Sequence, residues 1–342
     1  MKHMKIRIGP VLALMLLLPV ASEARIKVVA TQETYASIAR DLGGDRVESE
    51  AIVPGNADAH FVKPKPSYAF MLRDADLFIS TGLDLELWAP VLVNKSGNRD
   101  IADGGIGYVA AAQGIDLLEK PVSADRSAGD VHVYGNPHIQ TSPINATIVA
   151  RNIATGLCKV DPEGCEEYRA NLADFTTRIA HRLYGERLVE MLGTESLDPL
   201  ARSGRLIPFL EERGLVGEVG GWLAEAMPFR GRKLVCYHKN WIYFTTLFGL
   251  ETAGYVETKP GIPPTARHVA ELIERIETDN IRVLLAANYF ERHKPELIAE
   301  RTGIEAVVVP MSVGGEPGVD TYFDLVDLWL ERVRDAFTET ES

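Results

Sequence analysis

The chain has 342 residues, enough for two lobes of about 130 to 150 residues each, and its composition is not that of a collagenous, low-complexity or disordered protein. An apolar share of 46% and a charged share of 25% are ordinary for a globular fold. The formal charge of −12 disfavours nucleic acid and anionic membrane surfaces as partners and is compatible with attracting cations.

Residues 1–24 read as a secretory signal peptide: basic "MKHMKIR", apolar "GPVLALMLLLPV", then Ser22 and Ala24 as a small-x-small cleavage pair. The apolar run is too short to span a bilayer, and no later run approaches that length, so no direct membrane insertion is expected. Cleavage before Arg25 removes Lys2, Lys5, Arg7 and Glu23, taking the formal charge from −12 to −14. With no cysteine near that point, a lipid anchor is not expected.

From there strands and helices alternate. "IKVVAT" (26–31) precedes helical "YASIARDLGG", and "RVESEAIV" (46–53) runs into the turn "VPGNADAH", which ends at His60. Helical "PSYAFMLRDA", buried-looking "LFIS" (77–80) and "IGYVAA" (106–111) follow. This rhythm predicts a mostly parallel sheet covered by helices. Residues 112–137 read as an exposed loop.

Ser142 and Pro143 then start a helix with Ile144, Ile148, Val149, Ile153 and Leu157 on one face. Asp161-Pro162 opens another, where Tyr168, Leu172, Phe175, Ile179 and Leu183 recur at three- and four-residue steps. Continued to Leu192, it would span about 31 residues and roughly 45 Å. Residues 193–230 fit neither pattern and read as a partly helical insertion. Strands at 233–238, 252–257, 282–289 and 305–311 then repeat the alternation. The expected fold is α/β: two Rossmann-like lobes with parallel sheets, 25–160 and 193–342, joined by one long rigid helix over 161–192.

Of three cysteines, Cys158 and Cys165 are seven apart and, in an oxidising compartment, predict a local disulfide around the turn at Asp161. Cys236 is left unpaired, two residues before His238.

Among the eight histidines, His181 and His268 sit among charges on helices and read as solvated. His60, His138 and His238 instead fall at strand ends or helix starts, where parallel α/β sheets collect ligands. Asp320 opens the last helix just after the strand at 305–311 and reads equally as a helix cap. Three imidazoles and one carboxylate make a tetrahedral set for a borderline divalent metal, zinc above all. His293 and Cys236 compete for the fourth position, and His132 in the loop reads as an accessory metal residue. Because neutral imidazoles are needed, affinity is expected to fall through the histidine pH range.

The segments "IKVVATQETYASIARDLGG", "VPGNADAHFVKPKPSYAFMLRDADLFISTGLDLELW", "YGNPHIQTSPINATIVARNIATGL" and "GVDTYFDLVDLW" resemble the metal-specific (zinc/manganese) solute-binding proteins of ABC importers, the cluster A-I family. The resemblance covers most of the mature chain. It implies a periplasmic, monomeric, non-enzymatic protein that passes metal to a membrane permease. It also implies ligands at His60, at His138 of "NPH", at His238 ahead of "NWIYF", and at Asp320 of "DTY". Family members usually carry an acidic residue where Asn136 stands and a proline where Ala59 stands; the long histidine-rich loop is reduced to His132. Histidine at 238 leans the metal to zinc over manganese. Two rivals remain: a zinc hydrolase, for which no HExxH or comparable motif occurs, and a protein of the same shape binding a metal chelate.

Overall fold

The computed structural model describes residues 25–121, 132–257 and 264–339. The signal segment 1–24 and part of the 112–137 loop lie outside the described residues. Among the described residues, no helix is long and apolar enough to cross a membrane.

The first sheet contains β1 (Ile26–Gln32), β2 (Val47–Val53), β3 (Leu77–Ser80) and β4 (Tyr108–Ala110) in the order β2-β1-β3-β4. The second repeats that order as β6-β5-β7-β8, from β5 (Lys233–Cys236), β6 (Glu251–Tyr255), β7 (Val283–Ala287) and β8 (Glu305–Val309). Every pairing is parallel. The inner strands are buried along almost their whole length, as parallel strands under two helical layers must be. Chain direction across each sheet reverses beside its first strand, so β1 and β5 end at switch points where a ligand crevice opens.

Helix α1 (Glu33–Gly43) follows β1, and α2 (Pro66–Arg73) and α3 (Ala89–Ser96) cover the other face. Helix α4 (Pro143–Val160) starts as its sequence dictates, with Pro143 in the first turn and the Ser142 hydroxyl accepting from the Asn145 N–H at 3.5 Å. Its apolar stripe is fully buried.

The connector departs from expectation. Asp161 does not open a helix. Its carboxylate takes Arg46 at 2.9 and 3.1 Å and the Tyr168 hydroxyl at 2.6 Å, and α5 runs Cys165–Tyr184. That is 20 residues, about 30 Å. The helix stops because Gly185 adopts φ +83°, and a Cβ there would sit 2.7 Å from the Cα of Gly220. A short α6 (Glu186–Leu192) follows, ending at Gly193 in another left-handed conformation.

Residues 193–230 form α7 (Thr194–Arg202), α8 (Leu206–Glu212) and α9 (Gly221–Ala226). Leu197, Leu206, Leu210 and Trp222 are buried in the main core, so this segment is built into the molecule. The second lobe is completed by α10 (Ile242–Phe248), α11 (Ala266–Thr278), α12 (His293–Thr302) and α13 (Tyr322–Glu339).

One apolar cluster runs from Val28 in the first sheet through Phe175 to Trp329 in the second lobe. The lobes also meet through hydrogen bonds: the Ser312 hydroxyl accepts from the Thr34 N–H at 3.0 Å, and the Tyr243 hydroxyl donates to the Asn136 carbonyl at 2.6 Å. The crevice is thus set by a fused core.

Cys158 and Cys165 form the expected disulfide, while Cys236 is buried as a free thiol. Closing a loop of seven residues stabilises by about 2.5 kcal/mol in the chain-entropy account. Replacing both partners by serine is therefore expected to lower the urea unfolding free energy by about that amount without changing the m-value.

Candidate metal centre

The turn after β2 is shaped by its contact with the second lobe. A Cβ on Gly55 would lie 2.1 Å from the Val313 carbonyl oxygen, so only glycine lets the backbones approach this closely. The Ala57 N–H closes the turn on the Pro54 carbonyl, and the Trp88 indole N–H donates to the Ala59 carbonyl at 2.8 Å. His60 leaves the turn with both its backbone and its ring held by one atom. Asp58 Oδ1 accepts from the His60 N–H at 2.9 Å and from its ring Nδ1 at 2.7 Å.

The same device recurs 78 residues later. Asn136 Oδ1 accepts from the His138 N–H at 3.0 Å and from its Nδ1 at 2.9 Å. The Asn136 amide is itself oriented, because its Nδ2 donates to the Lys239 carbonyl at 2.6 Å and to Glu119 at 2.8 Å. His238 stands just past the end of β5, its Nδ1 3.3 Å from the Glu257 carbonyl and 3.8 Å from the Glu257 carboxylate. In all three rings the proton belongs on Nδ1, facing an oxygen, and Nε2 keeps its lone pair.

The three rings gather at the crevice. Ring centroids are 5.2 Å apart for His60 and His138, 6.5 Å for His60 and His238, and 6.3 Å for His138 and His238. His132 joins them, 5.4 Å from His60 and 5.9 Å from His138. Its Nε2 is 3.4 Å from that of His60, about the edge of a tetrahedron with metal–nitrogen bonds of roughly 2.0–2.1 Å. Imidazoles sharing such a metal have centroids about 5 Å apart, so the His60–His138 and His60–His132 pairs match and the other pairs are wider by roughly 1 Å. Accordingly, among the described residues no three His, Cys, Asp or Glu side chains yet form a closed metal-holding group.

A cavity of about 20 Å³, room for one water or ion, is lined by His60, His138, Asp58, Gln32, Gln140 and Tyr289, among others. His138 Nε2 is buried with no hydrogen-bond partner among the described residues. A larger recess of about 340 Å³, bordered by His60, His238, Glu257 and Glu291, adjoins it.

The three candidates that the sequence offered for the fourth position are placed elsewhere. Asp320 is exposed, its N–H bonds the Asp324 carboxylate at 3.2 Å, and no described contact joins it to a histidine. The cap of α13 is Thr321, whose hydroxyl oxygen accepts from the Asp324 N–H at 3.2 Å, so Asp320 is not the cap that its sequence also allowed. His293 is exposed at the start of α12. Cys236 is buried in the core against Thr252. The sequence reading missed the roles of Asp58 and Asn136, although both stand two residues before a candidate histidine.

The electrostatics favour neutral rings. Burial, reinforced by the neighbouring histidines, holds His138 well below the ordinary value of 6.5. Burial and His60 together lower His238 to about 4, against the Glu257 carbonyl and Asp58, which act the other way. Burial pushes the Asp58 carboxyl up, but its bonds from His60 outweigh that and leave it below its usual value. For His138 and His238, proton competition is thus moved below the ordinary histidine range that the sequence suggested.

Two parallel-sheet lobes meeting at a crevice of convergent imidazoles define a solute-binding protein for a metal ion. A family model described as zinc-uptake complex component A, periplasmic (ZnuA), matches residues 28–182 and 221–336, and the chain belongs to that family. It is thus a metal-binding substrate-binding protein of an ABC importer and not an enzyme. The helices between the matched segments lie outside the family pattern.

Among curated relatives, the chain is 23% identical over 99% of both chains to the "iron ABC transporter substrate-binding lipoprotein MtsA" of Streptococcus pyogenes serotype M1. It is 22% identical to the "manganese ABC transporter substrate-binding lipoprotein PsaA" of Streptococcus mitis, over 93% of this chain and 91% of that one. Among solved structures it shares its fold with ZnuA, at TM-score 0.67 and 21% identity over 91% of this chain and 99% of that one. The manganese-bound periplasmic metal binding protein from Candidatus Liberibacter asiaticus matches at TM-score 0.64 and 18% identity, with the same coverage of each chain.

In the metal-free protein, unfolded histidines take up protons below pH 6.5 while His238 does so only near 4. Its contribution is therefore present above 6.5 and lost as pH falls from there to about 4, on the order of 3 kcal/mol. Urea unfolding across this window is expected to show that loss, and His238→Gln to flatten it.

Proposed function

We propose that this protein captures a divalent metal, zinc foremost, in the crevice between its lobes and delivers it from the periplasm to the permease of an ABC importer. His60, His138 and His238 bind through Nε2, and His132 closes the fourth side from its loop. The observation that carries this reading is the shared pattern of the three rings. Each has its Nδ1 on an oxygen, which leaves its Nε2 as a lone-pair donor, and the ring centroids lie 5.2 to 6.5 Å from one another. Imidazole nitrogens suit zinc, and oxygen-bonded Nδ1 groups raise the basicity of the ligating nitrogens. Four nitrogens leave no open position for a catalytic water, which separates this site from a zinc hydrolase. A cavity of about 20 Å³ beside His60 and His138 has room for a bare ion. Export directed by residues 1–24 belongs to the same reading.

A harder metal is the second reading, favoured by relatives named for iron and manganese. Calorimetric titration of chelator-stripped protein with zinc and with manganese tests both. One tight zinc site per chain is expected, weakened on the order of 100-fold or more by His60→Ala, His138→Ala or His238→Ala, and about 10- to 100-fold by Asp58→Ala or Asn136→Ala. Asp320→Ala is expected to leave the affinity unchanged. Indifference to the histidine substitutions would overturn the reading.

A further inference from the structure

The cavity beside the histidines has a second buried lone pair on its wall. Gln140 is 3% exposed, and its Oε1 has no hydrogen-bond partner among the described residues. It lines the same small cavity as His138, whose Nε2 is in the same condition. A buried acceptor without a donor costs about 1–3 kcal/mol, so two on one cavity call for an occupant that accepts electron pairs. A cation, or the water bound to one, meets that need.

Which atom Gln140 shows to the cavity is decided by a chain of hydrogen bonds that begins at Glu86. This carboxyl group, 5% exposed, accepts on Oε1 from the hydroxyls of Thr31 and Thr81, each at 2.7 Å. The Thr81 hydroxyl proton is thereby committed, so its oxygen accepts from Gln32 Nε2 at 3.0 Å. Gln32 Nε2 also faces Glu86 at 3.5 Å, which leaves Gln32 Oε1 to accept from Gln140 Nε2 at 3.5 Å. Reversing Gln140 would set two carbonyl oxygens against each other. Its backbone is fixed as well, because the Tyr322 hydroxyl donates to the Gln140 carbonyl at 2.9 Å.

Building on the metal-capture reading, we infer that Gln140 is a specificity-determining residue that turns an oxygen toward the metal, held in place by the relay Glu86–Gln32–Gln140. An all-imidazole site favours zinc, whereas carbonyl and water oxygens suit manganese. Four nitrogens fill a tetrahedral shell for zinc, whereas a cation that takes more ligands, as manganese does, can also accept the Gln140 oxygen, directly or through a bound water, so Gln140 widens the range of the site toward harder cations. Glu86 and Gln32 act through Gln140 as positioning residues.

The test is the ratio of Zn²⁺ to Mn²⁺ affinity, measured by calorimetry or chelator competition on the full mature chain for wild type, Gln140→Met and Gln140→Leu. Both variants keep the bulk and remove the amide oxygen. Mn²⁺ affinity is expected to fall about tenfold or more and Zn²⁺ affinity by clearly less, so that the ratio rises. Metal-free thermal midpoints are expected to hold or rise, because an unpartnered buried acceptor has been removed. Equal losses for both metals, or an unchanged ratio, would overturn the proposal, as would unfolding of both variants, which would make Gln140 a packing residue. Wild type that binds Zn²⁺ but not Mn²⁺ would overturn this inference and leave zinc capture standing. Wild type that binds neither would overturn the capture reading itself.

Discussion

The site depends on a single kind of bond, made twice: an Asp or Asn side-chain oxygen that takes both the backbone N–H and the ring Nδ1 of the histidine two residues on. One atom thereby sets where the ring leaves the chain, how it is turned and which nitrogen carries the proton. The choice between acid and amide follows from surroundings. Asp58 is partly open to solvent at the crevice mouth, where a charge is tolerable and favours a cation. Asn136 is 3% exposed, and its amide nitrogen has the Lys239 carbonyl and Glu119 to satisfy. A carboxylate there would lose both donations and set its charge against a carbonyl.

Such orientation would be wasted on lobes that swing freely. Here the lobes share one apolar core, and the turn that aims His60 rests on the Val313–Gly315 backbone of the other lobe. Lys239, which lies beside His238, accepts from the residue that orients His138. The remaining gap between the observed rings and a closed shell is about 1 Å, a scale that side-chain rotation and loop adjustment cover without hinge motion. On the proposed reading, the shared core sets His60, His138 and His238 near one another, and His132 is the fourth ligand.

Much of this was written in residue patterns. Eight strands stand where β-rich runs bounded by turns predicted them, each within two residues; burial on both faces leaves the inner strands β1, β3, β5 and β7 little choice of residue type, while the edge strands are only partly buried. His60, His138 and His238 were recognisable because their strand-end positions imply the ligand-bearing rim. The break at Gly185 was not legible: the apolar stripe runs on to a buried Leu188, and the stop comes from Gly220, 35 residues away. Asp320 was ambiguous because a carboxylate before a helix suits both a cap and a ligand; the fold gives the cap to Thr321, its neighbour. Gln140 gave no signal at all. A glutamine's role lies in which end of its amide faces inward, and that is decided by Thr81 and Glu86, residues brought to it by the fold.

The same burial that prepares the metal site works against the metal-free protein. Desolvation keeps His138 and His238 neutral, so their lone pairs stay available where an exposed histidine would be protonated. Yet it leaves His138 Nε2 and Gln140 Oε1 as buried acceptors without donors, and it makes the folded state acid-sensitive. A structural core would remove such groups; an apolar pair of the same shape would be more stable. Their persistence in a cavity that admits one ion is the mark of a site whose unfavourable terms are offset by its cargo. Binding of that cargo to the folded state alone stabilises it by RT ln(1 + [L]/Kd). On the proposed reading, stability and metal loading are therefore coupled through the same few atoms, and the oxygens behind the rings hold those atoms in position for the metal.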